Sequence, residues 1–486
     1  MSSRDDNGEI YGANTDGSGL INLTTLGGTM TRSGRLRLRE LPRNHATSGR
    51  REMPVMDHSR KGERYRALGG TMFVILVVVG TLASCTDTGG AGHVPEADTG
   101  AAHAPEGDAF YLPPQPLPEA KPGTIIWSTP IDALPGAQAW KILYHSRAVD
   151  GSDIAVSGVV VAPTGPAPSG GRVVLTWAHG TTGLADACAP SKQPDIASRT
   201  SDGGTGSPEA LIPSLQAFLD AGYVVAATDY EGLGTPGLHP YLVGESAGRS
   251  VLDAARATRG LEAAAAGPKV LVFGHSQGGH AALFAGELAA SYAPELRVLG
   301  VATAAPVPNM ERALSDIGSL SDANGVVTMA IEGFHAAYPQ FDPAAVLNPY
   351  ALAHASSVNQ NPPDALGVGL DGACWDYVAK AESSHKPVLA HNPVDIPAMR
   401  KILRENSAGN RPAGAPLLVL RAGRDELILR SWLDAFVKKA CAAGDTVDYR
   451  SYANADHTGV LAASANDVVA WFADLVSGAA ATSTCS

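Results

Sequence analysis

Two serines of this 486-residue chain lie in Gly-x-Ser-x-Gly motifs, Ser246 within Gly244–Gly248 and Ser276 within Gly274–Gly278. Such a motif can place a serine hydroxyl on a sharp turn between a strand and a helix, where it can attack an acyl carbon. Glycine and serine are common in this chain, so the motif alone is weak evidence. The elements on either side of each serine must decide between them.

Only Ser276 has both flanking elements. The apolar run Lys269–Phe273 predicts a buried strand before it, and Gly278–Tyr292 predicts a helix whose N-terminus can point an N–H group at an oxyanion. The strand before Ser246 ends near Thr228, and the Gly- and Pro-rich segment between them cannot form the helix that a parallel crossover usually needs. We therefore predict Ser276 as a nucleophile and Ser246 as a helix N-cap.

A serine nucleophile needs a base, and the base needs an acid that orients it. Asp425 lies in a turn just after the apolar strand Leu417–Leu420, and His457 follows the next strand, Val447–Tyr452. Parallel strands end at one edge of a sheet, where the serine is also expected. Asp456 competes for the acid role, but a neighbour of His457 in one turn can rarely face its Nδ1. We predict Asp425 as the acid and His457 as the base.

Candidate oxyanion donors follow an earlier strand, Arg172–Trp177. A His-Gly turn after it can supply a backbone N–H, with Thr181 favoured over Thr182, and the N–H of Gln277 is expected as the second donor. His179 precedes this tight turn, and structural hydrogen bonding is the favoured interpretation for it.

Other polar residues near these turns have weaker claims. Thr182, Tyr230 and His275 are candidates to contact a substrate. For Tyr230, which ends a strand next to Asp229, loop packing is an equal alternative. His280 lies one helical turn after Ser276, and a structural hydrogen bond is again favoured over a role as base.

The elements that must position these residues alternate between strands and helices from about residue 123. Near-continuous Val- and Leu-rich strands with intervening helices predict an α/β fold, a mostly parallel sheet with helices on both faces and an antiparallel start. Residues 306–415 break the alternation and are too long for a plain loop, so we predict an inserted, mainly helical cap. The core is then divided into residues 123–305 and 416–486.

The front of the chain has the pattern of a targeting segment. Residues 1–55 are expected to be disordered or a mis-assigned extension, and residues 56–84 to be a signal peptide with the apolar run Met72–Val79. Small residues before Cys85 resemble a bacterial lipobox, which implies lipidation of that cysteine. An uncleaved anchor is the alternative, although the run falls short of the ~20 apolar residues of a spanning helix. Residues 85–122 are predicted to be a flexible tether.

Composition excludes some classes of function. The formal net charge is −12 and the acidic excess lies after residue 84, so nucleic acid is an unfavourable partner. No Cys-x-x-Cys or His-x-x-x-His pair occurs, so no metal site is expected. Four cysteines follow Cys85, an even number that predicts two disulfides in three possible pairings, although some could be free; they are Cys188, Cys374, Cys441 and Cys485.

Together, these segments resemble the secretory lipase family of α/β-hydrolases, the fungal lipase A type with actinobacterial relatives. The likeness lies in five stretches: His179–Thr181, Asp229–Gly234, Gly274–His280, Gly423–Asp425 and Asp456–His457. The resemblance implies a Ser276–Asp425–His457 triad, a helical cap and no cofactor.

The same resemblance implies the disulfide pairing Cys188–Cys374 and Cys441–Cys485. It also implies cleavage of an apolar ester or lipid, with true lipase and plain esterase activity equally open. An enzyme held at the cell envelope through Cys85, or secreted, and a monomeric state are expected.

Two rival functions remain. A serine aminopeptidase or amidase could use the same triad with an acidic cap site, for which Glu332, Asp342 and Asp371 are available. A non-catalytic envelope binding protein on the same scaffold is the third possibility, against which an intact triad argues.

Overall fold

The computed structural model describes residues 104–199, 211–317, 324–355 and 388–485, and five short strands near the N-terminus. The chain divides into two units, residues 1–93 and 94–486. In the first unit the described strands are Ser2–Arg4, Ile10–Ala13, Leu20–Asn22, Thr29–Met30 and Leu36–Arg37. They pair antiparallel, which differs from the disorder expected for residues 1–55. The predicted signal peptide and Cys85 lie outside the described residues.

The second unit is organised around one nine-stranded sheet. Its strands are β1 Ile125–Ile131, β2 Ala137–Arg147, β3 Asp153–Pro163, β4 Arg172–Ala178, β5 Val224–Thr228, β6 Ala266–His275, β7 Arg297–Ala304, β8 Leu417–Ala422 and β9 Val447–Tyr452. The spatial order is β9-β8-β7-β6-β4-β5-β3-β2-β1. Strands β1 to β3 pair antiparallel, β3 pairs antiparallel with β5, and the others pair parallel. The predicted α/β fold class with an antiparallel start is confirmed.

The α-helices of the described residues follow most of the parallel strands. They are α1 Leu215–Asp220, α2 Gly244–Gly260, α3 Gln277–Tyr292, α4 Met310–Ile317, α5 Asn324–Ala337, α6 Pro349–His354, α7 Pro397–Glu405, α8 Arg430–Ala442 and α9 Gly459–Ser477. Helices α2 and α3 pack with one apolar cluster and α1 and α9 with another. In β6, Val270 and Val272 belong to the first cluster and Leu271 and Phe273 to the second, the alternation of a strand buried on both faces.

Helix α2 corrects one local prediction. It begins at Gly244, two residues before Ser246, and its N-cap position is Val243. The Ser246 hydroxyl donates a hydrogen bond to the carboxylate of Glu231. Ser246 is therefore a residue of the first helical turn, and the prediction of an N-cap was wrong.

The segment between β7 and β8 contains helices α4 to α7 in its described part. Its abundant prolines begin helical segments, because proline at the first helical position has no N–H to lose from the helix. They are Pro343, Pro349, Pro393 and Pro397. Apolar side chains of α5 and α7, such as Phe334 and Leu403, pack in one cluster with Tyr241 and Val243. Residues 356–387 lie outside the described residues.

The end of the predicted tether is docked on the core. Phe110 and Tyr111 are 0% and 2% exposed, and the Trp127 indole donates to the Phe110 carbonyl oxygen over 2.8 Å. The tether prediction is corrected for this stretch, because two adjacent aromatic side chains bury enough apolar surface to hold an otherwise Gly- and Pro-rich segment.

One helix of the described residues, α9, has the length and hydropathy that could cross a membrane. Its Val468, Trp471 and Phe472 are buried in the apolar cluster on one face of the sheet.

Candidate active site

Ser276 occupies the turn between β6 and α3. Its φ of 54° and ψ of −116° are unusual for a residue with a side chain, and its N–H donates to the Ala304 carbonyl oxygen over 2.9 Å. Such strained backbone persists only where the surrounding structure holds it in place, and it is concentrated at functional sites. The turn lifts the serine to the end of the sheet with 8% of its surface exposed.

Glycines on both sides of Ser276 allow this turn to close. A Cβ atom on Gly274 would lie 2.0 Å from the Gly278 carbonyl oxygen, and a Cβ on Gly278 would lie 1.9 Å from the Ala178 carbonyl oxygen. Both distances are far inside van der Waals contact. The beginning of α3 therefore lies directly against the end of β4, where the His179–Gly183 turn starts.

Three side chains predicted from separate parts of the chain meet at this edge. The His457 Nε2 atom lies 2.9 Å from Ser276 Oγ, and its Nδ1 atom lies 3.0 and 3.1 Å from the two carboxylate oxygens of Asp425. A carboxylate can only accept, so Nδ1 carries the proton and Nε2 is free to accept from the serine hydroxyl. This is the arrangement that activates a serine for attack.

The environment of Asp425 favours its charged form. Burial raises its pKa, but the hydrogen bond and charge of His457 and the N–H groups of Ile428 and Leu427 outweigh burial, so its pKa is lowered. Those two N–H groups donate to Oδ1 over 2.9 and 3.0 Å. An ionised Asp425 can hold one tautomer of His457.

Asp456 has a different contact. Its Oδ1 accepts the N–H of Gly459 over 2.8 Å, at the beginning of α9. The carboxylate that faces His457 Nδ1 is that of Asp425.

His275 contacts both the backbone and the ring of His457. Its Nε2 donates to the His457 carbonyl oxygen over 2.9 Å, and the two rings lie 4.8 Å apart. Burial, together with His457, lowers the pKa of His275 to about 3, so the ring is neutral. His275 is 0% exposed, and the expectation that it contacts substrate stays a prediction.

The predicted oxyanion residues belong to two turns, the serine turn before α3 and the turn after β4. Gln277 is the first residue of α3, so its N–H has no acceptor within the helix. The Thr181 hydroxyl lies 2.6 Å from the Tyr241 hydroxyl. Thr182 is buried, and its hydroxyl has no hydrogen-bond partner among the described residues.

Tyr230 supports the turn from below. The Tyr230 hydroxyl donates to the His179 carbonyl oxygen over 2.9 Å. The backbone of Tyr230 has a positive φ of 76°. Tyr230 is 0% exposed, which favours the alternative of loop packing, and its contact with substrate stays a prediction. His179 and His280 donate to the backbone oxygens of Gly180 and Asn406 over 2.6 and 2.8 Å, the structural role that was favoured for both.

Sequence reasoning missed His239 and Tyr241. The Gln277 side-chain Nε2 lies 2.8 Å from His239 Nε2, and Tyr241 contacts Thr181 as above. Both residues lie in an irregular Gly- and Pro-rich segment, where periodicity gives no signal. The only signal in the sequence that could have indicated a role for them is the placement of a histidine and a tyrosine on either side of one proline.

One predicted disulfide is present among the described residues, Cys441–Cys485. Cys188 is also in a disulfide, and Cys374, the partner implied for it, lies outside the described residues. Within the described ranges, no group of three or more His, Cys, Asp or Glu side chains could hold a metal ion.

The acidic residues considered for an amine site differ in burial and in their contacts. Glu332 is half-buried in α5, whereas Asp342 is exposed and its carboxylate caps a short helix through Ala344 N–H. Asp371 lies outside the described residues.

Comparison with known proteins gives a family match and several relatives. The family model described as secretory lipase matches residues 205–484. The chain is 28% identical to Lipase A of Arthroderma benhamiae over 395 residues, which cover 77% of this chain and 80% of that protein. It is also 24% identical to a probable inactive lipase of Mycobacterium tuberculosis over 396 residues, which cover 77% and 83% of the two chains.

Solved structures agree on the fold. The X-ray structure of Candida antarctica lipase A has a TM-score of 0.63 at 20% identity, covering 77% of this chain and 87% of that one. A rice cell wall degrading esterase from Xanthomonas oryzae has a TM-score of 0.58 at 18% identity, covering 74% and 100%. These similarities identify the α/β-hydrolase fold.

Proposed function

The chain belongs to the secretory lipase family and is a carboxylic ester hydrolase, and from this premise we propose that it works as a serine hydrolase through an acyl-enzyme. Ser276 is the nucleophile, His457 the general base and acid, and Asp425 the residue that orients His457. The substrate is an apolar ester or lipid, because the relatives are lipases.

A single observation carries this proposal, the hydrogen-bonded series from Asp425 through His457 to Ser276. Family membership alone is insufficient, since one relative is named a probable inactive lipase. Here the nucleophile, the base and the orienting acid are all within hydrogen-bonding distance of their partners.

The first half of the reaction forms the acyl-enzyme. Ser276 Oγ attacks the ester carbonyl carbon while His457 Nε2 takes the hydroxyl proton, which leaves a negative charge on the carbonyl oxygen. The backbone N–H groups of Gln277 and Thr181 are proposed to bind that oxygen. When the C–O bond breaks, His457 returns its proton to the departing alcohol.

The second half repeats these steps with water. His457 takes a proton from water, whose oxygen attacks the acyl carbon, and Ser276 leaves with the proton returned by His457. The acid is released and the serine is restored. Ionised Asp425 stabilises the imidazolium in both halves, which its lowered pKa supports.

Ser276→Ala tests the function. We expect a loss of about 10⁶-fold in kcat on aryl esters and the loss of labelling by a fluorophosphonate. Ser246→Ala, in the second Gly-x-Ser-x-Gly motif, is the matched control and should retain labelling. Substantial ester hydrolysis by Ser276→Ala would refute the assignment.

The same preparations separate the rival functions. A peptide arylamide hydrolysed faster than an aryl ester would favour an aminopeptidase or amidase. An unlabelled wild-type chain with no turnover of either substrate would favour a binding protein. Esters of increasing acyl length separate lipase from plain esterase behaviour.

We also propose that the chain is lipid-anchored through Cys85 at the cell envelope. Relatives named as secreted lipases support an extracytoplasmic location. A diacyl anchor on one cysteine would hold the protein at a membrane, at ~0.8 kcal/mol for each buried CH₂. The test is fractionation of cells that express wild type or Cys85→Ser: the wild type should be in the membrane fraction and the variant in the soluble fraction.

A further inference from the structure

We propose that His239 and Tyr241 are positioning residues that hold the two oxyanion donors, Gln277 and Thr181, in place. This inference rests on the proposed function, because it assigns support to the donors of that same site. The two residues lie on one short segment, residues 239–241, which we call the positioning segment.

The contact between His239 and Gln277 has a defined direction. His239 Nδ1 lies 2.8 Å from the Glu231 carbonyl oxygen, which can only accept, so the proton is on Nδ1. The bare Nε2 then accepts from the Gln277 amide nitrogen, 2.8 Å away. His239 is 1% exposed, and burial lowers its pKa to about 4, so the ring stays neutral and keeps this acceptor.

This hydrogen bond acts next to the nucleophile. Gln277 directly follows the strained Ser276, and its own N–H points out of the beginning of α3. A side chain fixed at its far end limits rotation of the peptide unit that carries this N–H. An oxyanion donor is effective only when it is aimed in advance at the developing charge.

Tyr241 performs the equivalent task for the other donor. Its hydroxyl lies 2.6 Å from the Thr181 hydroxyl, and both residues are buried. The ring of His239 also stacks on Tyr230 at 5.7 Å, and Tyr230 holds the His179 carbonyl oxygen in the same turn. The positioning segment therefore contacts the side chains of both predicted oxyanion donors, Gln277 and Thr181.

Two amide substitutions at His239 distinguish a role in positioning Gln277 from a role in packing alone. Glutamine places a side-chain amide near the position of Nε2 and can still accept from Gln277, whereas asparagine reaches only the position of Nδ1. We expect His239→Asn to lower kcat about 10- to 100-fold with KM changed less than about threefold, and His239→Gln to restore most of that loss.

Tyr241 is tested by a double-mutant cycle. Tyr241→Phe should lower kcat by about 10-fold, and the same change should have no further effect in a Thr181→Val background, because the two hydroxyls act together. Tyr338→Phe is the matched control, since its half-buried hydroxyl accepts a hydrogen bond from the Asn406 amide and none from Thr181 or Gln277. It should leave kcat and KM unchanged.

The outcomes are distinct from those of the proposed function. Loss of activity in Ser276→Ala with wild-type kcat in both His239→Asn and Tyr241→Phe would overturn the positioning role alone. An equal loss in His239→Asn and His239→Gln, or additive losses in the Tyr241 cycle, would also overturn it. Circular dichroism and thermal unfolding of each variant identify any that fail to fold, and Tyr241→Phe, which removes one oxygen atom, then provides the test.

Discussion

The Nε2 atom of His457 lies 2.9 Å from the Oγ atom of Ser276, although 181 residues separate the two in the chain. The contact exists because β6 and β9 are parallel members of one sheet and end at the same edge. Substitutions around this contact can separate the residues that hold it in place from those that merely lie nearby.

Asp425 and Asp456 provide a matched pair of aspartates. Asp425→Asn should lower kcat on aryl esters by about 10⁴-fold, because an amide facing Nδ1 favours the wrong tautomer of His457. Asp456→Asn should retain nearly full activity, since its carboxylate bonds to Gly459 N–H and not to the imidazole. The measurement is kcat for both variants beside the wild type, and a larger loss for Asp456→Asn would contradict the assignment of the acid.

Gly333 couples helix α5 to the positioning segment. A Cβ atom on Gly333 would lie 2.4 Å from Tyr241 N and 2.7 Å from Tyr241 O, so Gly333→Ala must displace one of the two backbones. We expect a destabilisation of about 1–3 kcal/mol, as for other overpacked sites, and a fall in kcat larger than the change in KM.

Gly260→Ala in α2 is the control for Gly333, because its nearest neighbour is Ile125 Cδ1 at an ordinary 3.6 Å. Alanine in a helix is favoured over glycine by up to about 1 kcal/mol, so this variant should be neutral or more stable. Urea unfolding and ester kinetics of both variants make the comparison. A Gly333→Ala enzyme with unchanged kcat would show that α5 does not affect the site through Tyr241.

Glu287 makes stability depend on pH near neutrality. Burial raises its pKa to about 7, against the hydrogen bond from the Gly409 N–H and the charges of Arg411 and Lys439. The folded chain thus binds the proton more tightly than the unfolded chain, and its stability falls as pH rises from about 4.5 to about 7.

Glu287→Gln removes that dependence and keeps the acceptor for Gly409. The unfolding free energy of the variant relative to the wild type should rise by about 1–3 kcal/mol between pH 5 and pH 8. The buried histidines have lowered pKa values, which change the stability with pH in the opposite direction. Their contribution is the same in both proteins, so it cancels when the unfolding free energy of the wild type is subtracted from that of the variant. A constant difference across this pH range would exclude Glu287 as the titrating group.

The Cys441–Cys485 disulfide should stabilise the C-terminal end of the chain. It joins residues 44 apart, and Thr484 N–H also donates to the Val447 carbonyl oxygen of β9 over 2.7 Å. Replacing both cysteines with serine should cost about 2–4 kcal/mol, while kcat at 25 °C remains close to that of wild type. An unchanged Tm after the double replacement would contradict the stabilising role. If a reductant lowers the Tm of the double variant further, that additional loss comes from the Cys188 disulfide.

Sequence reasoning was strongest where a motif and its flanking elements are local. A buried strand, a glycine-framed serine and a helix of small residues predicted the turn at Ser276. Two later strands, each followed by a polar turn, predicted where Asp425 and His457 would lie. Near-continuous Val- and Leu-rich runs sufficed to predict the sheet, because parallel strands are buried on both faces.

The tertiary structure alone decided how those residues are supported. Phe110, His239 and Tyr241 lie in segments with no period, and Gly333 lies in helix α5; each makes its contact with a neighbour distant in the chain. Such contacts leave no local pattern, because they depend on which loops the folded sheet brings together. Composition and spacing thus determined which side chains could react, and only three-dimensional packing decided which other side chains contact them.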